Sequence, residues 1–275
     1  MKDRILPLLL ILLFSLYPFT VDAQILQHHY IDIKYVDRIS KFRSGAGHDY
    51  SYEASIIAAG FYELETDPSE NNRSMKHYFL FEKRYRGNIT TIPIYAPFDG
   101  IIHRVSNEVQ EGDDTDKQVW IRSNAQPDYY LIIHHVNLSE TFPQIWNDYP
   151  KELWEHWQPD DEQYDRITMQ AGEIIGYADT KERVASDVAV LHKISDQEYH
   201  YRSYFDPVIM PDSIFQRFVD RGVTGRSDLI ISKAYRDAHP IPDDHQWDGY
   251  DPDDWVILNN VASPIPSTTL LLLEK

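Results

Sequence analysis

The sequence contains no cysteine in 275 residues. Thiolate metal sites, cysteine nucleophiles and disulfides are therefore excluded. The chain must hold together by burial, and 19 Tyr, 11 Phe and 6 Trp supply large surfaces for that. Basic residues are also scarce. Lys and Arg number 26 against 44 Asp and Glu, a formal net charge of -18. Such a chain is a poor partner for nucleic acid or an anionic membrane surface, and it tolerates cationic partners or divalent cations. No glycine-rich phosphate loop leads into a helix, which argues against nucleotide use. Ser51 and Ser186 lack the flanking pattern of a nucleophile elbow.

Long apolar runs are missing except near the start. There Lys2 and Arg4 precede an apolar run from Ile5 to Phe19, and Val21-Asp-Ala23 offers small residues before Gln24. This pattern reads as a secretory signal over residues 1–23. The run is short of the ~20 residues that span a bilayer and contains Pro18. The expectation is a secreted, periplasmic or extracellular protein with no membrane span in the mature chain. Asn72, Asn88 and Asn137 begin glycosylation sequons, which matter only in a host that glycosylates.

The remaining sequence reads as mostly β. Residues 25–42 read as one or two strands, and residues 43–51 as a Gly-rich loop. Met75 to Phe81 predicts a strand with His77, Phe79 and Phe81 on one face by the two-residue period. Strand patterns continue over 92–136, broken by the acidic turn Glu111–Asp116, and resume at 169–177, 184–193 and 228–235. Residues 208–221 predict an amphipathic helix. An insertion at 139–166 carries Trp146, Trp154 and Trp157, and loops of this length inside a β domain are often functional. The expected organisation is a signal peptide (1–23), a β domain (24–236) and an acidic Pro/Asp-rich C-terminal segment (237–275).

Two short segments carry the most information. One is Ile94-Tyr-Ala-Pro-Phe-Asp-Gly100, and the other is Met169-Gln-Ala-Gly-Glu-Ile-Ile-Gly176. Between them lies Leu131-Ile-Ile-His-His-Val136. Together they resemble the lysostaphin-type zinc endopeptidases, whose fold is the duplicated hybrid motif. The resemblance covers roughly residues 43–193, and it extends to a group of uncharacterised secreted proteins of that fold through Gly47-His-Asp-Tyr50, Ser74 to Phe79 and Ser186 to Val190. It implies a duplicated-hybrid-motif β-sandwich with long loops and a few short helices.

The resemblance also implies a zinc site, and this sequence departs from it. Gly47 and Asp49 fit the family's H-x-G-x-D segment, but Gly45 stands at the ligand histidine. Asp187-Val-Ala189 stands where H-x-H is expected, so Asp187 replaces the proton-transfer histidine and Ala189 replaces a ligand. His135 fits the middle-strand histidine, and His134 points to the opposite face if the strand is regular.

Three functional readings follow. The first is a secreted peptidase-like domain that lacks the usual zinc site and binds a cell-envelope or extracellular peptide or glycan, with Trp146, Trp154 and Trp157 lining a groove. The second is a metal-dependent hydrolase with a rearranged site, in which zinc is held among His48, Asp49, His77 and His135 while Asp187 orients or accepts a proton. The third is a structural extracellular module in which these polar residues hold loops in place.

Overall fold

β-Branched and aromatic residues recur at alternate positions through the middle of the chain, and they form one large sheet. The structure is a computed structural model. It describes residues 24–51, 65–67, 69–87, 92–107, 116–138, 167–180, 183–195, 198–242, 245, 247 and 251–259. The expected leader, the tryptophans of the 139–166 insertion and Asn88 lie outside these residues.

The strands are β1 (Val36–Ser40), β2 (Glu65–Thr66), β3 (His77–Phe81), β4 (Ile92–Tyr95), β5 (Gly100–Asn107) and β6 (Lys117–Ser123). They continue with β7 (Tyr129–Asn137), β8 (Thr168–Met169), β9 (Ile174–Ala178), β10 (Ala185–Lys193), β11 (Glu198–Arg202) and β12 (Trp255–Ile257). The sheet runs β12-β1-β3-β10-β7-β6-β5-β8, with β11 also on β10, β2 on β11, and β9 joining β7 to β4. Pairing is antiparallel except between β11 and β2. Two α-helices are described, α1 (Asp212–Val219) and α2 (Lys233–Ala238). The mostly β class expected from the sequence is what the chain adopts.

The two-residue period sorts side chains into two faces. Phe79 and Phe81 of β3, Ile121 of β6, Ile133 of β7 and Val188 and Val190 of β10 share the main core. Ile92 and Ile94 of β4 and Ile175 of β9 enter the same core, so the sheet closes over on itself. Ile214, Phe215 and Phe218 of α1 pack there too. The opposite face carries a smaller cluster, including Phe42, Tyr50, Met75, Trp120, Tyr130, Ile132 and Ala189.

The two corner segments meet. Ala96 N–H donates to Glu173 O at 2.8 Å, and Gly172 N–H donates to Ala96 O at 2.8 Å. The Asp99 carboxylate accepts from Ala171 N–H at 2.8 Å. Gly176 faces Ile94 in the β4–β9 pair. A Cβ there would lie 2.6 Å from Asn137 O, so the close approach of β9 to β7 requires glycine. Pro93 is tolerated in β4 because the side of this strand away from β9 carries an isolated bridge, Ile94 to Ile31, rather than a full ladder.

One local expectation, a strand at 228–235, differs from what forms, and two other segments gain detail. Residues 25–42 yield one strand plus a 3₁₀ turn at Ile33–Tyr35. Residues 228–235 do not form a strand. Leu229 and Ile231 frame a single bridge to Phe42, and α2 follows because Ser232 caps it, its hydroxyl accepting from Tyr235 N–H at 3.1 Å. The C-terminal segment adds β12 to the edge of β1. Asn72, in a left-handed conformation, already donates its side-chain amide to Ile241 O at 2.9 Å.

Phe79 is fully buried and meets the rings of His29, Tyr30, Tyr204 and Phe205. Phe79→Ala is expected to lower unfolding free energy by about 3–5 kcal/mol. Denaturant titration measures it, and a loss below about 1 kcal/mol would contradict this packing account.

Candidate functional site

Strand alternation decides which polar residues can meet. In β10, Val188 and Val190 face the core, so Asp187 faces the opposite side with Ala189. In β3, Phe79 faces the core, so His77 does as well, while Lys76 and Tyr78 face outward. Asp187 lies directly opposite Tyr78 in the β10–β3 register. The result is an ion pair between Lys76 Nζ and Asp187 Oδ2, with side-chain exposures of 2% and 1%. Lys76 Nζ also lies 4.5 Å from the Tyr50 ring centre and 4.9 Å from that of Tyr78. Burial opposes ionisation of Asp187. Lys76, then His134 and His135, outweigh it and hold the carboxyl well below the usual range.

His135 reaches this pair through a break in β7. The β6–β7 register shifts between Lys117 and Val119, which leaves an extra residue on β7. His135 sits there with φ 60°. The expectation that His134 and His135 point to opposite faces assumed a regular strand, and the bulge overturns it. Both histidines act on Asp187, and their ring centres are 6.3 Å apart.

The His135 ring is held by an acid on its far side. Its Nδ1 lies 3.0 Å from Asp116 Oδ2, so Nδ1 carries the proton and donates. Arg183 Nη2 donates to the same oxygen at 3.1 Å. His135 Nε2 then faces Asp187 Oδ1 at 3.5 Å, beyond hydrogen-bond length. Asp187 Oδ1 has no hydrogen-bond partner among the described residues.

The other expected site residues are placed as follows. His48 is exposed on the same face, near Tyr50 and Tyr78, with Nδ1 2.8 Å from Asp49 O. Desolvation, then the Lys76 charge, lowers its pKa. Asp49 Oδ1 accepts from Arg73 N–H at 3.1 Å and so braces the loop. His77 is on the core side of the sheet. It donates through Nδ1 to Ser40 O at 2.8 Å, and Nε2 accepts from Ser203 Oγ at 2.9 Å. Its burial pushes its pKa down to about 4. The structure thus gathers His48, His134, His135 and Asp187 around Lys76. It leaves His77 on the other side of the sheet and occupies Asp49 elsewhere.

A zinc ion of the lysostaphin kind does not fit these residues. A Cβ at Gly45 would lie 2.6 Å from His245 Nε2, so a ligand histidine at 45 has no room. His245 Nε2 instead donates to Gly45 O at 2.9 Å, and Gly45 N–H donates to Asp254 Oδ2 at 3.0 Å. Ala189 is buried in the outer apolar cluster. Asp187 has an ammonium as its cation. Among the described residues no group of three or more His, Asp or Glu side chains is arranged to hold a metal ion.

Sequence reasoning missed Lys76, Asp116, Tyr50 and Tyr78. For Lys76 and Tyr78 the signal was present: the alternation that put His77 with Phe79 puts both of them on the other face.

No protein-family model and no curated protein matches the sequence. Among solved structures, lysostaphin in solution is similar at 13% identity with a TM-score of 0.27. The match covers 57% of this chain and spans half (50%) of the lysostaphin chain.

Two consequences are measurable. The unfolded chain takes up a proton at His77 near pH 6.5, whereas the folded chain does so only near pH 4. Stability from this residue is therefore complete above pH 6.5 and is lost as pH falls from 6.5 to 4. The loss is of the order of 3 kcal/mol. His77→Gln should flatten that part of the stability–pH curve, and an unchanged slope would count against a neutral buried His77. Gly47 has φ 75°, and a Cβ there would lie 2.1 Å from the Tyr78 ring. Gly47→Ala should cost about 2–4 kcal/mol by strain and clash together, read as a fall in midpoint on thermal unfolding.

Proposed function

We propose that this protein is a secreted peptidase-like module that binds a cell-envelope or extracellular peptide or glycan and does not cleave it with zinc. The ligand lies on the outer sheet face above Lys76 and Asp187. The supporting observation is the ion pair itself. At the position where the resemblance implies the proton-transfer histidine, Asp187 has a lysine for its cation, so the positive charge is built into the chain. His48, His135 and Arg183 are accessible around this buried floor and offer hydrogen-bonding groups to amide, hydroxyl or carboxylate groups of a ligand.

A second reading is a metal-dependent hydrolase with a rearranged site. One observation favours it: Asp116 holds His135 Nδ1–H and leaves Nε2 as a basic nitrogen, the arrangement that second-shell acids impose on ligand histidines.

One experiment separates the readings. Purified mature protein would be assayed for bound metal, for cleavage of cross-linked peptidoglycan peptides with and without chelator, and for binding to peptide and glycan fragments by calorimetry. The binding reading predicts substoichiometric metal, no chelator-sensitive cleavage, and saturable binding weakened about tenfold or more in His135→Ala, a loss of one charge-assisted hydrogen bond. Stoichiometric metal lost in His135→Ala, with cleavage abolished by chelator, would establish the second reading instead.

A further inference from the structure

We propose that Lys76 and Asp187 react with each other to form an intramolecular amide bond between Lys76 Nζ and Asp187 Cγ. The pair is then a self-modification site that ties β10 to the residue preceding β3. The amide would replace the ion pair that supports the binding reading, and mass spectrometry decides it without any binding measurement.

The geometry supplies what such a reaction needs. Lys76 and Asp187 face each other across neighbouring antiparallel strands, with Tyr78 opposite Asp187. Both side chains are almost wholly withdrawn from solvent, at 2% and 1% exposure. The Tyr50 and Tyr78 rings flank the amine at 4.5 and 4.9 Å. Strands and rings thus hold nucleophile and carbonyl carbon together, which removes most of the entropic barrier to a bimolecular step. Exclusion of water also protects the product from hydrolysis.

The ionised pair differs from a neutral amine and a neutral acid by one proton moved between them. Burial by itself favours the neutral forms, but Lys76, His134 and His135 keep Asp187 ionised at rest, so the neutral pair is the minor form from which reaction proceeds. From that state the Nζ lone pair attacks Cγ and the C–N bond forms. The Cγ–OH bond breaks, and the hydroxyl leaves with one amine proton as water. The other amine proton remains on the amide nitrogen. One water is lost, and no oxidant, reductant or cofactor is needed. His135, with Nδ1 on Asp116 and Nε2 3.5 Å from Asp187 Oδ1, is placed to hand a proton to the leaving hydroxyl.

The test uses the mature protein with its N-terminus fixed by sequencing. Intact mass spectrometry should give a mass one water below that of the sequence. Proteolysis should yield one branched peptide containing both Lys76 and Asp187. Lys76→Arg keeps the charge but cannot form the amide, so it should show the full sequence mass, and His135→Gln should slow appearance of the branched peptide. Folded wild-type protein at the full sequence mass would overturn the proposal, whether or not Lys76→Arg folds. So would a lost water with Lys76 and Asp187 in separate peptides, the signature of a cyclised aspartate elsewhere.

Discussion

Neither Lys76 nor Asp187 could be buried alone. A lone ammonium or carboxylate in a protein interior carries a desolvation cost of several kcal/mol, and each removes that burden from the other only at contact distance. The outer face of the sheet is arranged around this requirement. Register between β10 and β3 brings the two side chains together, Tyr50 and Tyr78 cover them, and Gly47 leaves room for the Tyr78 ring. The bulge at His135 turns a second histidine toward the same carboxylate. A shift of one residue in either strand would move Lys76 or Asp187 into the core on the other side, which the described residues line with apolar and aromatic side chains.

The same constraint bears on what the outer face can hold. A buried carboxylate with a lysine partner does not need a divalent ion, and a divalent ion beside an ammonium is repelled. The neighbouring positions are filled by packing. Ala189 adds to the outer apolar cluster, and the space beside Gly45 holds the His245 ring. The corner segments at 94–100 and 169–176 bear none of this load. They hold the closure of the sheet through backbone hydrogen bonds and are indifferent to what chemistry the face carries.

Much of the scaffold was legible in the sequence. Alternation marked β3, β6, β7 and β10, the Pro-Gly corners marked the turns, and the apolar spacing of Ile214, Phe215 and Phe218 marked α1. Alternation also placed His77 with Phe79, but its separation from Asp187 follows only from the β10–β3 pairing that the fold supplies. Legibility failed where one residue changes a rule. The extra residue at His135 reverses a face, and no residue type announces it, since a histidine with positive φ has no compositional mark. Ser232 was readable as a helix cap but lay inside an apolar stretch that suggested a strand. Lys76 was overlooked because lysine in a strand is ordinarily a solvent-facing residue. Its burial follows from Asp187, more than a hundred positions further along, and only the fold supplies that pairing. The tryptophans of the insertion lie outside the described residues.

Residues 255–257 form β12 on the outer edge of β1, which spans 36–40, and His245 and Asp254 close on the loop at Gly45. The edge of the sheet nearest the site is therefore completed by chain synthesised more than two hundred residues later. A nascent chain cannot finish this edge or seat Gly45 until that late segment is available. Folding of this kind is governed by long-range closure, which is slow relative to local helix formation. A protein built this way stays unfinished through most of its synthesis, and the strand at 36–40 waits with one edge unpaired until residues 255–257 arrive.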